Sequence, residues 1–311
     1  MLRYITSRLL QGIVVIILIS IITFVIMRLM PGDPTSFLLG EDSGVRISEE
    51  QIQAIKARWG LDRPYHEQYF LWVRNMFLGN MGESIRMPGT PVSDLIWRAV
   101  PVTAELNLYA FLIATLVSLP VGIMGALRRN SAWDYGTSIG SALGIAMPNF
   151  WLGLMLIIIF AVYLEWLPPY GLNSWHGYIL PVIVLATEQT AVLTRVMRGA
   201  MMDVLNQDYV RTARAKGLRE YFVILNHAAR NALLPVITVI GVRIAFLLSG
   251  TIVVETVFAV PGIGRLLTES VFRLDYQVVQ SLFVLLAILV VAVNLLTDLI
   301  YAFIDPRIRV E

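Results

Sequence analysis

Six apolar runs punctuate the chain, at 9–27, 103–127, 136–164, 178–196, 233–254 and 278–304. At 1.5 Å rise per residue, each is long enough as a helix to cross a hydrocarbon core of ~30 Å. The pattern predicts an all-α integral membrane protein with six transmembrane helices. The third and sixth runs exceed the minimum, so tilt or a kink is expected, with Pro148 as a kink point. In the third run Gly136, Gly140 and Gly144 recur every four residues, a stripe that lets a neighbouring helix backbone come close. The first run follows Arg3 and Arg8, as the core of a signal peptide would. It ends at Arg28 and MPGDP without a small-residue cleavage pattern, so an uncleaved first helix is expected.

The polar segments between the runs are unequal. Residues 31–102 are too long for a simple connection. Within them SEEQIQAIKARWG (48–60) reads as a short helix, with Ser48 as its cap and Gly60 as its stop. A second helix is expected over 65–77, with Tyr69, Trp72, Val73 and Phe77 on one side. This partly helical insertion is expected to lie against the membrane part as a cap. The domain reading is a first helix in 1–30, a cap in 31–102 and a five-helix core in 103–311 that includes a basic loop at 203–232.

Arginine placement orients the chain. Arg3, Arg8, Arg128, Arg129, the 195–230 group, Arg307 and Arg309 fall on one side. The short loop around 165–177 on the other side carries no Lys or Arg. Positive charge favours the cytoplasm, which puts both termini there. The 31–102 insertion is then extracytoplasmic.

Composition agrees with a membrane setting. Charged residues make up 15% and the mean hydropathy is +0.71, against roughly 25% charged in soluble domains. A net charge of +2 gives no case for nucleic acid. Cysteine is absent, which excludes disulfides, cysteine-based zinc sites and a thiol nucleophile. GTSIG (136–140) matches a nucleophile-elbow pattern, but it opens an apolar helix instead of following a strand. No Gly-Lys pair occurs, so the chain has no Walker-type phosphate loop. The reading is non-catalytic, with no cofactor or metal of its own.

Glu188, Arg243 and Asp298 fall inside the runs. A mid-membrane charge costs ~2.5–3.5 kcal/mol on insertion scales, so each needs a partner or a wet cavity. Glu188 and Arg243 are candidates for a translocation path, and equally for a structural ion pair. Proton relay through such groups would make the chain a secondary transporter.

The basic loop reads as two helices. One spans 203–216 and stops at Gly217; the other runs from 220 toward 233, with Leu234-Pro235 opening the fifth run. Three uses stay open on physical grounds: a helix lying on anionic lipid, a solvated charged face, or a helix docked in a partner's groove. DYVRTARAKGL (208–218) followed by RNALLPV (230–236) resembles the cytoplasmic loop of ABC importer permeases, and more narrowly the dipeptide/oligopeptide/nickel permease family. MRLMPGDP (27–34), GLDRPYHEQY (60–69), ILPVIVLA (179–186), VVETVFAVPGIGRLL (253–267) and IDPRIR (304–309) extend the resemblance along the chain.

The resemblance implies a type I ABC importer permease fold in a bacterial inner membrane. It further implies a homologous second permease subunit, two cytoplasmic ABC ATPase subunits that bind ATP and Mg, and an extracytoplasmic substrate-binding protein. Peptides rank first as cargo, ahead of a nickel or other metal chelate and a glutathione-like molecule. Arg211, Thr212 and Ala213 match the family's Glu-Ala-Ala positions, with arginine replacing the acid, and Gly217 matches its glycine. The implied ATPase-coupling residues are Asp208, Tyr209, Arg211, Thr212, Ala213, Arg214, Ala215, Lys216 and Gly217. A membrane scaffold holding a cytoplasmic enzyme is the reading of another class.

Overall fold

The computed structural model describes residues 2–30, 50, 53, 56, 57 and 60–304. Much of the expected 48–60 helix, including Ser48, lies outside those residues, as does the side chain of Asp298. Among the described residues regular structure is helical, apart from one isolated bridge between Glu83 and Pro91. Among the described residues five helices are long and apolar enough to cross a membrane, or six if one sharply bent pair counts as a single span. Contacts divide the chain into two units, Met1–Val102 with Pro261–Glu311, and Thr103–Val260.

In the first unit α1 (Leu2–Leu29) lies along the last helix, α10 (Tyr276–Ile304). They approach closely at Gly12, where a Cβ would come within 2.5 Å of Val291 Cγ1. Helix α2 (Tyr65–Phe77) packs on both. Phe24, Trp72 and Val284 form its buried contact, with Tyr69, Val73 and Met76 around them. The expected apolar side is therefore used except at Phe77, which is exposed.

A loop at 80–91 then enters α3 (Val92–Leu127), which starts well before the expected residue 103. Asp275 collects this loop. Its carboxylate accepts from Ser84 Oγ, from the Ile85 N–H at 3.1 Å and from the Arg86 N–H at 3.3 Å. Glu269 on α9 (Ile263–Phe272) pairs with Arg86 and Arg265 at 2.9 and 2.8 Å. Burial works against an ionised Glu269, but the hydrogen bonds from the two arginines outweigh it and hold the carboxyl below the usual range.

In the second unit the third apolar run is broken, not kinked. Helices α4 (Ala132–Ala146) and α5 (Asn149–Leu156), the latter continued by a π-helical stretch Ile157–Tyr163, meet at 102°. Pro148 disfavours a helical conformation at the preceding residue, and Met147 sits extended at φ −75°, ψ 122°. Ser131 caps α4 by accepting from the Asp134 N–H, and buried Asp134 binds Arg198. The glycine stripe is used at one position of three. A Cβ on Gly144 would meet Ala191 Cβ at 2.8 Å, whereas Gly136 and Gly140 have nothing within 4 Å. A second close approach, at Gly122 on α3, puts Met197 Cβ within 2.8 Å. Both contacts fall on α6 (His176–Leu205), the central helix of this unit.

Candidate coupling site

Helix α6 runs to Leu205, so Asp203 belongs to its last turn and not to the basic helix. The chain turns at Asn206 and Gln207 and starts α7 (Asp208–Ala215). Gly217 takes φ +73°, a left-handed conformation that disfavours any side chain bearing a Cβ. One turn (Glu220–Phe222) and a π-helical stretch (Val223–Ala229) lead straight into α8 (Arg230–Val257). The expected boundary at Leu234-Pro235 is absent, because Pro235 lies inside α8. The second helix of the knuckle and the fifth span are one continuous rod.

Apolar residues at helical spacing build the knuckle's interior. Val210, Ala213 and Val223 are buried against one another, with Val204 beside them. Behind them, Leu193, Met197 and Met201 of α6 pack with Ala228, Ala229, Ala232 and Val236 of the rod, and with Ala114 and Ala126 of α3. Arg214 closes the turn by donating to Glu220, with Nη2 at 2.7 Å and Nε at 3.2 Å. These bonds push the Arg214 guanidinium further up from its already high value. Asn231 Nδ2 donates to Tyr209 Oη at 3.0 Å, a second strut from α7 to the rod.

This arrangement sorts the nine expected residues. Asp208, Tyr209, Arg211, Thr212, Arg214, Ala215, Lys216 and Gly217 are exposed, with Asp208 and Arg211 3.5 Å apart. Ala213, the ninth, faces inward against Val223, where its small size serves the knuckle's own packing. Glu220 is not among the residues the resemblance implies. Its signal was an acid placed beyond a turn-forming glycine, within reach of a basic residue before that turn.

Glu188 on α6 and Arg243 on α8 come together, Oε1 to Nη1 at 2.8 Å, and both side chains stay partly exposed. Glu255, one residue past the fifth apolar run, lies in the last turn of α8 and is fully buried. Thr103 Oγ1 donates to it at 2.6 Å. Nothing in its local sequence marks that burial. Among the described residues no group of three or more His, Cys, Asp or Glu side chains is placed to hold a metal ion.

Comparison with known proteins covers the chain almost end to end. Residues 118–310 match the model for binding-protein-dependent transport system inner membrane components, and residues 1–106 match the N-terminal model of such components. The oligopeptide transport system permease protein AppB of Bacillus subtilis is 43% identical, over 99% of this chain and all of AppB. The oligopeptide transport system permease protein OppB of Haemophilus influenzae is 39% identical, over 99% of this chain and all of OppB. A putative peptide transport system permease protein of Brucella abortus is also 39% identical, over 99% of both chains. A crystal structure of an amino acid ABC transporter with histidines shares the fold, with a TM-score of 0.53 and 16% identity over 67% of this chain and 93% of that one.

Proposed function

Since this chain belongs to the family of binding-protein-dependent transport system inner membrane components, we propose that its exposed knuckle at 208–217 is the surface through which separate ATPase subunits drive it. The chain is a multi-pass permease subunit of an ABC importer. Its cargo is peptides, a reading supported by the names of its relatives. A nickel or other metal chelate and a glutathione-like molecule are the alternatives. A homologous permease completes the path, two cytoplasmic ATPases bind ATP and Mg, and an extracytoplasmic binding protein delivers solute. This chain carries no catalytic role, and both termini are cytoplasmic.

One observation carries the mechanism. The two helices that meet at the knuckle, α6 and the 220–257 rod, are the two that hold Glu188 and Arg243. The knuckle's interior is buried and cross-bonded, so force applied at α7 moves it as a body. That movement shifts α6 against the rod and bears directly on the ion pair. Glu188 and Arg243 thereby line or gate the path. Their mutual pairing weakens the case for a proton relay, and with it the secondary-transport reading.

Gly217→Asp tests the assignment in the assembled transporter. The variant should insert and assemble yet lose solute-stimulated ATP hydrolysis and transport. Transport at the wild-type rate would end the proposal. Affinity purification in mild detergent is the companion experiment. It should recover a second permease and P-loop ATPases, and a chain that moves solute alone would return the secondary transporter.

A further inference from the structure

A polar cavity of about 320 Å³ lies in the first unit, bounded by the end of α1, by α2, by residues 80–82 and by the start of α10. Three buried donors there have no hydrogen-bond acceptor among the described residues: Arg28 Nη1, Trp72 Nε1 and Gln280 Nε2. Trp72 is 7% exposed and Gln280 1%. Buried donors without acceptors are costly and rare in folded proteins. Three around one cavity form a pattern.

The arginine is held in place. Its Nε and Nη2 donate to Gln68 Oε1 at 2.9 and 2.6 Å, which leaves Nη1 as the outward donor. Gln68 is itself fixed, its Nε2 donating to the Leu61 and Arg63 carbonyls at 3.3 and 2.7 Å. The guanidinium also lies over the rings of Phe24 and Tyr276, at 4.8 and 4.7 Å. Arg28 forms no ion pair among the described residues, and the described lining contains two arginines but no carboxylate. The cavity therefore presents a preorganised positive charge and NH donors to a missing acceptor. Arg28 also stands in the last turn of the α1 span, where a bilayer's phosphate layer begins.

We propose that this cavity binds an oxyanion, a phosphate or carboxylate group, held by Arg28 Nη1, Trp72 Nε1 and Gln280 Nε2. A phospholipid headgroup and a free anion offer the same chemistry. The site is separate from the knuckle and does not depend on the transport assignment.

The test uses the transporter as purified with its partner subunits. Native mass spectrometry follows its exchange between phosphatidylglycerol and phosphatidylcholine, and thermal unfolding is followed against added inorganic phosphate or acetate. Trp72→Phe removes one N–H while keeping the stacked ring, and Arg28→Met removes the charge while keeping an apolar stem. Retention of phosphatidylglycerol, weakened about tenfold or more by Trp72→Phe, supports the site with a lipid source, since one charge-assisted hydrogen bond is of that order. A phosphate- or acetate-dependent rise in melting temperature, lost in both variants, supports it with a soluble source. Should neither lipid nor free anion bind in a manner that Trp72→Phe alters, solvent fills the cavity and the proposal fails. Trp72→Phe preserves the aromatic packing, so the test stays decisive even if Arg28→Met does not fold.

Discussion

Single residues set the limits of what this chain tolerates. Glu188→Gln keeps an acceptor for Arg243 but removes the countercharge that the guanidinium needs in the membrane. The variant should reach the membrane in assembled form and transport poorly. Failure to accumulate folded protein would instead give the pair a purely structural role. Glu269 offers a test outside the spans. Its folded carboxyl is held below its unfolded value, so its contribution is complete above the ordinary glutamate range of about 4.3 and is lost as pH falls through the folded value. Melting temperatures of wild type and Arg86→Gln should therefore differ at pH 7 and converge in acid once pH has fallen through the lowered folded value. Parallel curves across that range would remove the Arg86 bond as the cause.

At the scale of elements, burial outweighs charge in holding the knuckle together. Arg214 and Glu220 pair at the surface with side chains 41% and 54% exposed, and such pairs contribute only ~0.2–1 kcal/mol. Val210 is fully buried, and truncating it removes two methyl groups from a packed site at a cost of about 2 kcal/mol. Hydrogen exchange across 208–229 should thus accelerate more in Val210→Ala than in Arg214→Gln. The reverse order would make the ion pair the main fastening.

Element existence was plain in the sequence because twenty-residue apolar runs have few alternatives. Element ends were not. Nothing in 92–102 separates a helix from a loop until α3 continues through it, and a proline read as a helix start proved tolerable inside the 220–257 rod. Pro148 signalled an interruption, but its 102° size depends on packing that periodicity does not report. The two helices of the knuckle were legible through their apolar spacing, and Gly217 through its turn, whereas a coupling role for 208–217 comes only from the family resemblance. Ala213's inward orientation and the burial of Glu255 were not, since both are set by neighbours distant in sequence.

For the whole molecule, orientation is the property on which the importer reading hangs. The sequence contains no cysteine, so any cysteine introduced reports alone. Lys216→Cys should react with a membrane-impermeant maleimide only in inverted vesicles, and Asn80→Cys only in intact cells. Labelling of both from one side would overturn the six-span arrangement. With the assembly reconstituted, peptide-loaded binding protein should raise ATP hydrolysis above the rate with empty binding protein. Equal rates would detach the knuckle from solute import.

The π-helical stretch Val223–Ala229 carries a consequence for how such a protein can change over evolutionary time. A wide turn is a residue inserted into an α-helix and accommodated without loss of the flanking helices. Each residue gained or lost there swings what precedes it by about 100°, because an α-helix advances 3.6 residues per turn. The packing of α6 against Ala232 and Val236 of α8 lies beyond that stretch and need not be rebuilt. A lineage can therefore re-aim the end of the rod by single-codon insertion or deletion while the helices beyond it keep their packing.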